Sequence, residues 1–250
     1  MAHAVLTQAE TNSPEEQKTG TSASTPAVLA LIPAWNEAPR IRRIIEGARR
    51  FLPVLVVDDG STDGTAEVAL AAGASVVRHP RNLGKGVALR TGFAWALEHG
   101  YEAVLTLDAD GQHDPDEIPR FLDAWKQGRG DLIIGQRRFS EMPWPRWWST
   151  PLGTFLLSLA LGQYIPDNQC GYRLITRRAL ECMELGSSGF EMEVEMIAEA
   201  LRRGLTIGWV PIRTIYGIGK RSYFHPIKDT LRFLGMVWRI WRRRRIHRPS

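Results

Sequence analysis

The chain has 250 residues, and 44% of them are hydrophobic, which is enough for one sizeable core and excludes a wholly disordered protein. Its formal net charge is +5, so we expect an anionic partner such as a nucleotide, a nucleic acid or a lipid headgroup. The two cysteines, Cys170 and Cys182, form no CxxC pair. This excludes zinc and redox motifs of that kind and favours reduced cytosolic thiols.

Composition divides the chain into a disordered leader over residues 1–26, a globular domain over 27–226, and a basic amphipathic helix with its tail over 227–250. The leader has no basic start followed by an apolar run, which excludes a signal peptide. A spanning helix would need about 18 uncharged apolar residues, and we find no such run. We therefore expect a cytoplasmic protein, with contact to the inner face of the membrane through the basic helix.

Short apolar runs alternate with helical patterns along the first half of the chain. Strands are predicted at 28–32, 54–57, 74–77, 103–107 and 131–134, and helices around 41–48, at 64–72, at 84–99 and from Pro115. This alternation predicts an α/β fold with a doubly wound, mostly parallel sheet flanked by helices. Further helices are predicted over 152–164, 190–203 and 227–244.

Polar clusters follow the predicted strands, at 33–37, 58–63, 82–86 and 108–114. In a doubly wound sheet, ligands bind beyond the carboxyl ends of the strands. Carboxylates there can accept hydrogen bonds from a base or from ribose hydroxyls. The alternative is that Gly60 and Gly64 serve turns and Asp63 caps a helix.

The stretch Asp108-Ala-Asp110 places two carboxylates two residues apart at the end of a predicted strand, where they can converge. Carboxylate oxygens suit Mg²⁺ or Mn²⁺ shared with phosphates, and Gln112 adds a neutral oxygen. The alternative is a polar strand–helix connection. In either case we expect His113 to support the turn and Asp114 to cap the next helix.

The segment Asn82-Leu-Gly-Lys-Gly86 opens a predicted helix. Its glycines permit close backbone approach, and Lys85 with the helix N-terminus favours a phosphate. The spacing fits neither a P-loop nor a G-x-G-x-x-G fingerprint, which argues against a dinucleotide oxidoreductase.

Several motifs in order resemble the family 2 glycosyltransferases, and most of all their polyprenyl- or dolichyl-phosphate hexosyltransferase branch. They are P-A-W-N-E from residue 33, V-V-D-D-G-S-T-D-G-T from residue 56, N-L-G-K-G-V-A-L-R-T-G from residue 82 and L-D-A-D-G-Q-H-D-P from residue 107. Residues 167–173, 190–195 and 210–216 also resemble that branch. The resemblance covers residues 27–230, and its strength comes from the ordered set of motifs.

The resemblance implies a GT-A fold that binds a nucleotide-sugar, UDP- or GDP-linked, together with Mg²⁺ or Mn²⁺. It implies nucleotide-sugar contacts for Pro33, Ala34, Glu37, Asp59, Lys85, Asp108 and Ala109. It further implies that Asp108, Asp110 and Gln112 hold the cation, and that Arg137 and Arg173 face an acceptor phosphate.

The chemistry of the acceptor decides whether the enzyme needs a general base. A sugar hydroxyl needs one within reach. A lipid monophosphate does not, because its second pKa is about 6 and it is already anionic at neutral pH. Glu191 and Glu193 are the candidate bases, and the alternative places them with Glu195 on a solvated or pocket-lining side of a helix.

We therefore expect an inverting, metal-dependent glycosyltransferase that moves a hexose from a nucleoside diphosphate to a polyprenyl phosphate or related lipid. The alternatives are a sugar or other hydroxyl acceptor, and a non-catalytic nucleotide-binding protein on the membrane. Nucleic acid is not expected as a partner, because the aspartate-rich strand ends would repel its phosphates. The basic tail, with Trp238 and Trp241, suits an anionic bilayer, although packing followed by a solvated end would also explain it.

Overall fold

The computed structural model describes residues 27–137, 154–155, 157–189, 191–213, 215 and 235. The predicted leader lies outside these residues, as does the basic C-terminal helix apart from residue 235. The division of the chain into leader, domain and tail therefore stays a prediction. Of the predicted helix at 152–164, residues 154–155 and 157–164 are described; 154–155 and 157–161 are helical, and 162–164 are not.

The described residues contain one mixed sheet of seven strands, in the order β3-β2-β1-β4-β6-β5-β7. The strands are β1 (Val28–Ala34), β2 (Val54–Asp58), β3 (Ser75–Arg78), β4 (Ala103–Thr106), β5 (Leu132–Arg137), β6 (Arg173–Thr176) and β7 (Ile207–Ile212). β6 runs antiparallel to both β4 and β5, and the other neighbouring strands pair in parallel. The predicted α/β class with a mostly parallel sheet is confirmed.

The connections between strands carry the helices. They are α1 (Ala38–Ala48), α2 (Thr65–Ala71), α3 (Lys85–Glu98), α4 (Ile118–Lys126), α5 (Arg177–Cys182) and α6 (Met192–Arg202), with a 3₁₀ turn at Pro115–Glu117 before α4. Within the described residues, no helix is both long and apolar enough to cross a membrane.

Prolines account for two differences from the sequence-based expectation. Pro33 was expected to end the first strand, but β1 continues to Ala34. β1 pairs with β4 only through Val28–Leu31. Pro33 lies beyond this pairing, so its missing N–H leaves no gap in the β1–β4 ladder. β7 was not predicted, because Pro211 and Gly208 interrupt its strand pattern. The strand tolerates the proline because it lies at the edge of the sheet and pairs only with β5.

The core lies on the faces of the central strands. Every residue of β1 is buried, as a strand covered on both faces requires. The helix α3 packs closely on this strand through Gly92. A Cβ added there would lie 2.3 Å from Leu31 Cδ1 and 2.5 Å from its Cδ2. Gly92 is therefore required by the close approach of α3 to the sheet.

We expect Gly92→Ala to lower the free energy of unfolding by about 1–2 kcal/mol, because overpacking against the buried Leu31 outweighs the gain in helix propensity. Chemical denaturation measures the change. Leu31→Ala alone should cost about 2–5 kcal/mol. In the double variant the new methyl fills part of the vacated space, so the total loss should be smaller than the sum. Strictly additive losses would contradict the contact.

Candidate active site

The loops that follow β1 and β2 are joined to each other by hydrogen bonds. The amide of Asn36 donates to Ser61 Oγ at 2.9 Å, and Asn36 Oδ1 accepts from the Thr62 amide at 2.9 Å. Asn36 has a φ of 54°, a left-handed conformation that asparagine tolerates better than most residues. These hydrogen bonds hold together the two loops at the edge of the sheet where the predicted nucleotide-sugar residues lie.

Glu37 is buried at this edge, with 6% exposure, and its amide donates to Thr65 Oγ1 at 2.9 Å. Its carboxylate accepts from Arg40 Nε at 2.7 Å. Burial raises the pKa of Glu37 against the opposing pull of Arg40, and the carboxylates of Asp110 and Asp63 raise it further. The structure thus brings Glu37 within electrostatic reach of Asp110. Pro33 and Ala34 are buried at the end of β1, and Ala109 is buried at 5% exposure.

Asp59 has an internal role. Its carboxylate accepts from the Leu83 amide at 2.9 Å, the Gly84 amide at 2.8 Å and His79 Nδ1 at 2.7 Å, and the residue is 3% exposed. In the structure Asp59 holds the loop that leads into α3. Its contact with a nucleotide stays a prediction.

The glycines of the Gly84-Lys85-Gly86 segment accommodate protein backbone. A Cβ at Gly84 would lie 2.3 Å from the Ser188 oxygen, and one at Gly86 would lie 2.3 Å from the Ser187 oxygen. The Gly86 amide already donates to the Ser188 oxygen at 2.9 Å. In the structure the segment before α6 therefore occupies the Gly86 amide. The phosphate contact at the N-terminus of this helix stays a prediction.

Lys85 lies between two carboxylates. Its Nζ is 2.6 Å from Asp108 Oδ1 and 2.7 Å from Glu193 Oε1. Burial would lower the pKa of Lys85, but the two carboxylates raise it above its ordinary value. Burial would likewise raise the pKa of Asp108, but the charge and hydrogen bond of Lys85, together with the charges of His113 and Arg137, outweigh it and hold that pKa at about 2. Lys85 was predicted to meet a phosphate, and here it joins α3 to the loop after β4 and to α6.

Asp110 differs from Asp108 although it lies only two residues away. Its Oδ1 accepts from the Gln112 amide at 2.9 Å. Burial and the neighbouring Asp108 charge both raise the pKa of Asp110. Two neighbouring carboxylates that act on each other suit a hard divalent cation, so Asp108 and Asp110 fit that group. The metal contact of the Gln112 side chain stays a prediction. In the part of the chain that the structure describes, no set of three or more acidic, histidine or cysteine side chains is arranged to hold a metal. Further oxygens would have to come from neutral protein groups, water or a diphosphate.

His113 and Asp114 support the turn, as the sequence predicted. His113 Nδ1 accepts from the Asp108 amide at 2.9 Å, and its ring stacks on Tyr172 with the centroids 5.0 Å apart. Burial lowers the pKa of His113, which favours the neutral ring. Asp114 Oδ1 accepts from the Asp116 amide at 3.0 Å and so caps the 3₁₀ turn.

Arg137 lies at the end of β5 and forms a two-point ion pair with the fully buried Asp167. The distances are 2.7 Å from Nε to Oδ2 and 2.9 Å from Nη2 to Oδ1. Its positive charge contributes to the lowered pKa of Asp108, so Arg137 lies within electrostatic reach of the candidate metal site. Its contact with an acceptor phosphate stays a prediction.

Arg173 is buried at 1% exposure, at the start of β6. Nε donates to the Cys170 oxygen at 2.7 Å, Nη1 to the Glu193 oxygen at 2.5 Å and Nη2 to the Asn168 oxygen at 3.3 Å. The guanidinium thus binds main-chain carbonyls and anchors the backbone of Glu193. Its contact with an acceptor phosphate stays a prediction.

The three glutamates at the start of α6 have different surroundings. Glu193 is buried at 4% exposure, which excludes a solvated position for this residue and leaves a pocket-lining position or a role as a base as predictions. Its Oε2 has no hydrogen-bond partner among the described residues. Glu195 accepts from the amides of Gly186 and Ser187 and thereby joins the segment before α6 to that helix. Glu191 is half-buried at the N-terminal end of α6.

Sequence reasoning missed several residues that build the site. His79 links Asp59 to Thr91 Oγ1 on α3 at 2.9 Å, and no pattern around it indicated this role. Asp167 and Gly171 fell within a motif but had no assigned role. A Cβ at Gly171 would lie 2.8 Å from Asp108 Oδ2 and 3.1 Å from Lys85 Nζ, so glycine is required beside the ion pair.

Comparisons with known proteins agree with this geometry. The chain is 34% identical over 205 residues to polyprenol monophosphomannose synthase of Mycolicibacterium smegmatis, covering 75% of this chain and 77% of the relative. It is 35% identical over 201 residues to undecaprenyl-phosphate mannosyltransferase of Micrococcus luteus, covering 74% and 82%.

A solved structure shares the fold. Glucosyl-3-phosphoglycerate synthase from Mycobacterium tuberculosis, in complex with Mn²⁺, uridine diphosphate and phosphoglyceric acid, superposes with a TM-score of 0.68. The two chains are 23% identical, and the match covers 90% of this chain and 80% of that one. This likeness confirms the predicted GT-A fold. The model of the family described as Glycosyl transferase family 2 matches residues 30–184. The chain therefore belongs to glycosyl transferase family 2 and is a glycosyltransferase.

Proposed function

We propose that this glycosyltransferase moves a hexose, with inversion, from a nucleoside-diphosphate sugar to a polyprenyl phosphate or related lipid phosphate. The observation that carries the proposal is the pair Asp108 and Asp110 after β4, where Asp108 is ion-paired to Lys85 and its charge raises the pKa of Asp110. A divalent cation on a diphosphate would complete the compensation of their charge.

The metal side of the proposal concerns Asp108, Asp110 and the side-chain oxygen of Gln112. When bound there, Mg²⁺ or Mn²⁺ would neutralise the charge that develops on the departing nucleoside diphosphate. Solved structures of the same fold hold Mn²⁺ with uridine diphosphate and Mg²⁺ with uridine diphosphate, which supports a metal-dependent donor site here. The donor base, uracil or guanine, stays open.

The acceptor side follows from the names of the relatives and from phosphate chemistry. Both mannosyltransferase relatives are named for a polyprenyl phosphate acceptor or its mannosylated product. In the proposed step, an oxygen of the lipid phosphate forms a bond to the anomeric carbon. The bond from that carbon to the diphosphate breaks, and its electron pair leaves with the nucleoside diphosphate. The dianionic phosphate needs no base, whereas a hydroxyl acceptor would need one, with Glu193 as the buried candidate.

We also propose that the protein contacts the cytoplasmic face of the membrane, where a lipid phosphate acceptor would lie. Three large apolar side chains are exposed close together in sequence, namely Phe155 at 59%, Leu159 at 60% and Tyr164 at 77%. Phe155 and Leu159 are four residues apart in a helical segment and so share a face. The tryptophans and arginines of the C-terminal sequence would add attraction to anionic lipids.

We expect Asp110→Asn to lower sugar transfer by about a hundredfold or more, as for other groups that stabilise charge in a transition state. Transfer of radiolabelled sugar in the presence of Mn²⁺ measures the effect. Asp116→Asn is the matched control, since this carboxylate is exposed and pairs with Arg50. The control should keep wild-type activity, and full activity of Asp110→Asn would refute the metal assignment.

We expect product from undecaprenyl phosphate but not from undecaprenol, which differs only by the phosphate. A panel of radiolabelled UDP- and GDP-sugars with Mg²⁺ or Mn²⁺ tests both acceptors and identifies the donor base. Failure of every donor with undecaprenyl phosphate would sink the lipid-phosphate proposal. Transfer to undecaprenol that is lost in Glu193→Gln would instead favour a hydroxyl acceptor with a general base.

We expect the protein to float with vesicles that contain phosphatidylglycerol more strongly than with neutral vesicles, and less so at high salt. Replacing Phe155, Leu159 and Tyr164 together by serine should weaken this binding. Leu70→Ser is the matched control, because Leu70 is 58% exposed on α2 and lies in no such group. Equal weakening in both variants would argue against a specific membrane face.

A further inference from the structure

The ammonium of Lys85 contacts Asp108 Oδ1, an oxygen that the proposed metal site also needs. Its Nζ lies 2.6 Å from Asp108 Oδ1 and 2.7 Å from Glu193 Oε1, and the Lys85 side chain is only 18% exposed. At these distances the contacts are direct ion pairs, strengthened by partial removal from water. An internal cation is therefore already seated on one of the two aspartates.

Neighbouring groups hold the main chain around Lys85. It is the first residue of α3, and the Asp59 carboxylate holds the two amides immediately before it. The next amide, that of Gly86, is bound to the Ser188 oxygen. Gly171 has no side chain where a Cβ would lie 3.1 Å from Lys85 Nζ and 2.8 Å from Asp108 Oδ2. Several separate parts of the chain thus form a close fit around the ion pair.

In the group formed by Asp108, Asp110, Glu193 and Lys85, the carboxylates outnumber the ammonium. Asp108, Asp110 and Glu193 bring three carboxylates together with Lys85, and the nearby Arg137 is paired with Asp167. Lys85 makes its short contacts with Asp108 and Glu193, not with Asp110. A divalent cation that arrives without a nucleotide can therefore bind Asp110, but it must compete with the Lys85 ammonium for Asp108.

We propose that Lys85 is a positioning residue that competes with the divalent metal for Asp108, so that metal and nucleoside diphosphate bind cooperatively. This inference rests on the proposed metal-dependent function. The diphosphate offers the ammonium another anionic partner and releases Asp108 to the metal. Such coupling is reciprocal, so the metal strengthens nucleotide binding by the same factor.

The test is Mn²⁺ binding to the full-length protein, followed by the electron paramagnetic resonance signal of free Mn²⁺. Titrations are made without nucleotide, with UDP and with GDP. We expect weak binding to the wild type without nucleotide and much tighter binding with one of the two. Lys85→Met should bind Mn²⁺ at least about tenfold more tightly than the wild type without nucleotide. The gain on adding nucleotide should shrink accordingly.

Two further variants separate competition from a structural defect. Lys85→Met/Glu193→Gln removes one charge of each sign, so it keeps the balance of the group and should still bind Mn²⁺ more tightly without nucleotide. Glu193→Gln alone leaves Lys85 with Asp108 and should show no gain. Lys126→Met, at the exposed end of α4, controls for the change in total charge and should match the wild type.

The outcomes distinguish this inference from the proposed function. If the wild type binds Mn²⁺ with a nucleotide, but Lys85→Met and the double variant show no gain without one, the competition is refuted and the metal site stands. If the wild type binds no Mn²⁺ with either UDP or GDP, the proposed metal site fails, and the competition fails with it. Should Lys85→Met not fold, the double variant decides the question.

Discussion

The ion group of Lys85, Asp108 and Glu193 is the interaction on which the site depends. Buried charges are costly unless they are paired, so the three elements that carry them must meet with little freedom. α3 supplies the lysine, the turn after β4 supplies the aspartate and α6 supplies the glutamate. Because α6 follows the antiparallel strand β6, the group also ties the second half of the fold to the first.

Other residues hold together the elements that carry this ion group. Arg173 holds the main chain of Glu193 from within the core, and Asp59 holds the loop before Lys85. Gly86 gives the segment before α6 room to approach α3, and Gly171 leaves space beside the ion pair. Resemblance to a family suggests ligand contacts for Arg173 and Asp59, and these stay predictions. In the structure both side chains are buried and hydrogen-bonded to neighbouring parts of the chain.

The sequence predicted what depends on local pattern. The first five strands follow apolar runs, and the acidic turn after β4 was located from its residue spacing. Motif order, recognised as a family resemblance, added the GT-A fold. What could not be predicted depends on contacts distant in the chain. Lys85 lies 108 positions before Glu193, and no local pattern shows that a lysine meets a carboxylate there and not a phosphate. β6 and β7 escaped notice because an arginine opens one and a proline interrupts the other.

The two aspartates of the turn differ because only one has a bound cation in the protein itself. The Lys85 ammonium, together with the charges of His113 and Arg137, holds the pKa of Asp108 at about 2 against the effect of burial. Burial raises the pKa of Asp110, and the charge of Asp108 raises it further. A cation would therefore stabilise the ionised carboxylate of Asp110 more than that of Asp108. This effect depends on Asp108 remaining ionised. An approaching metal would meet Asp110 first, and its hold on Asp108 would depend on what else the lysine can bind.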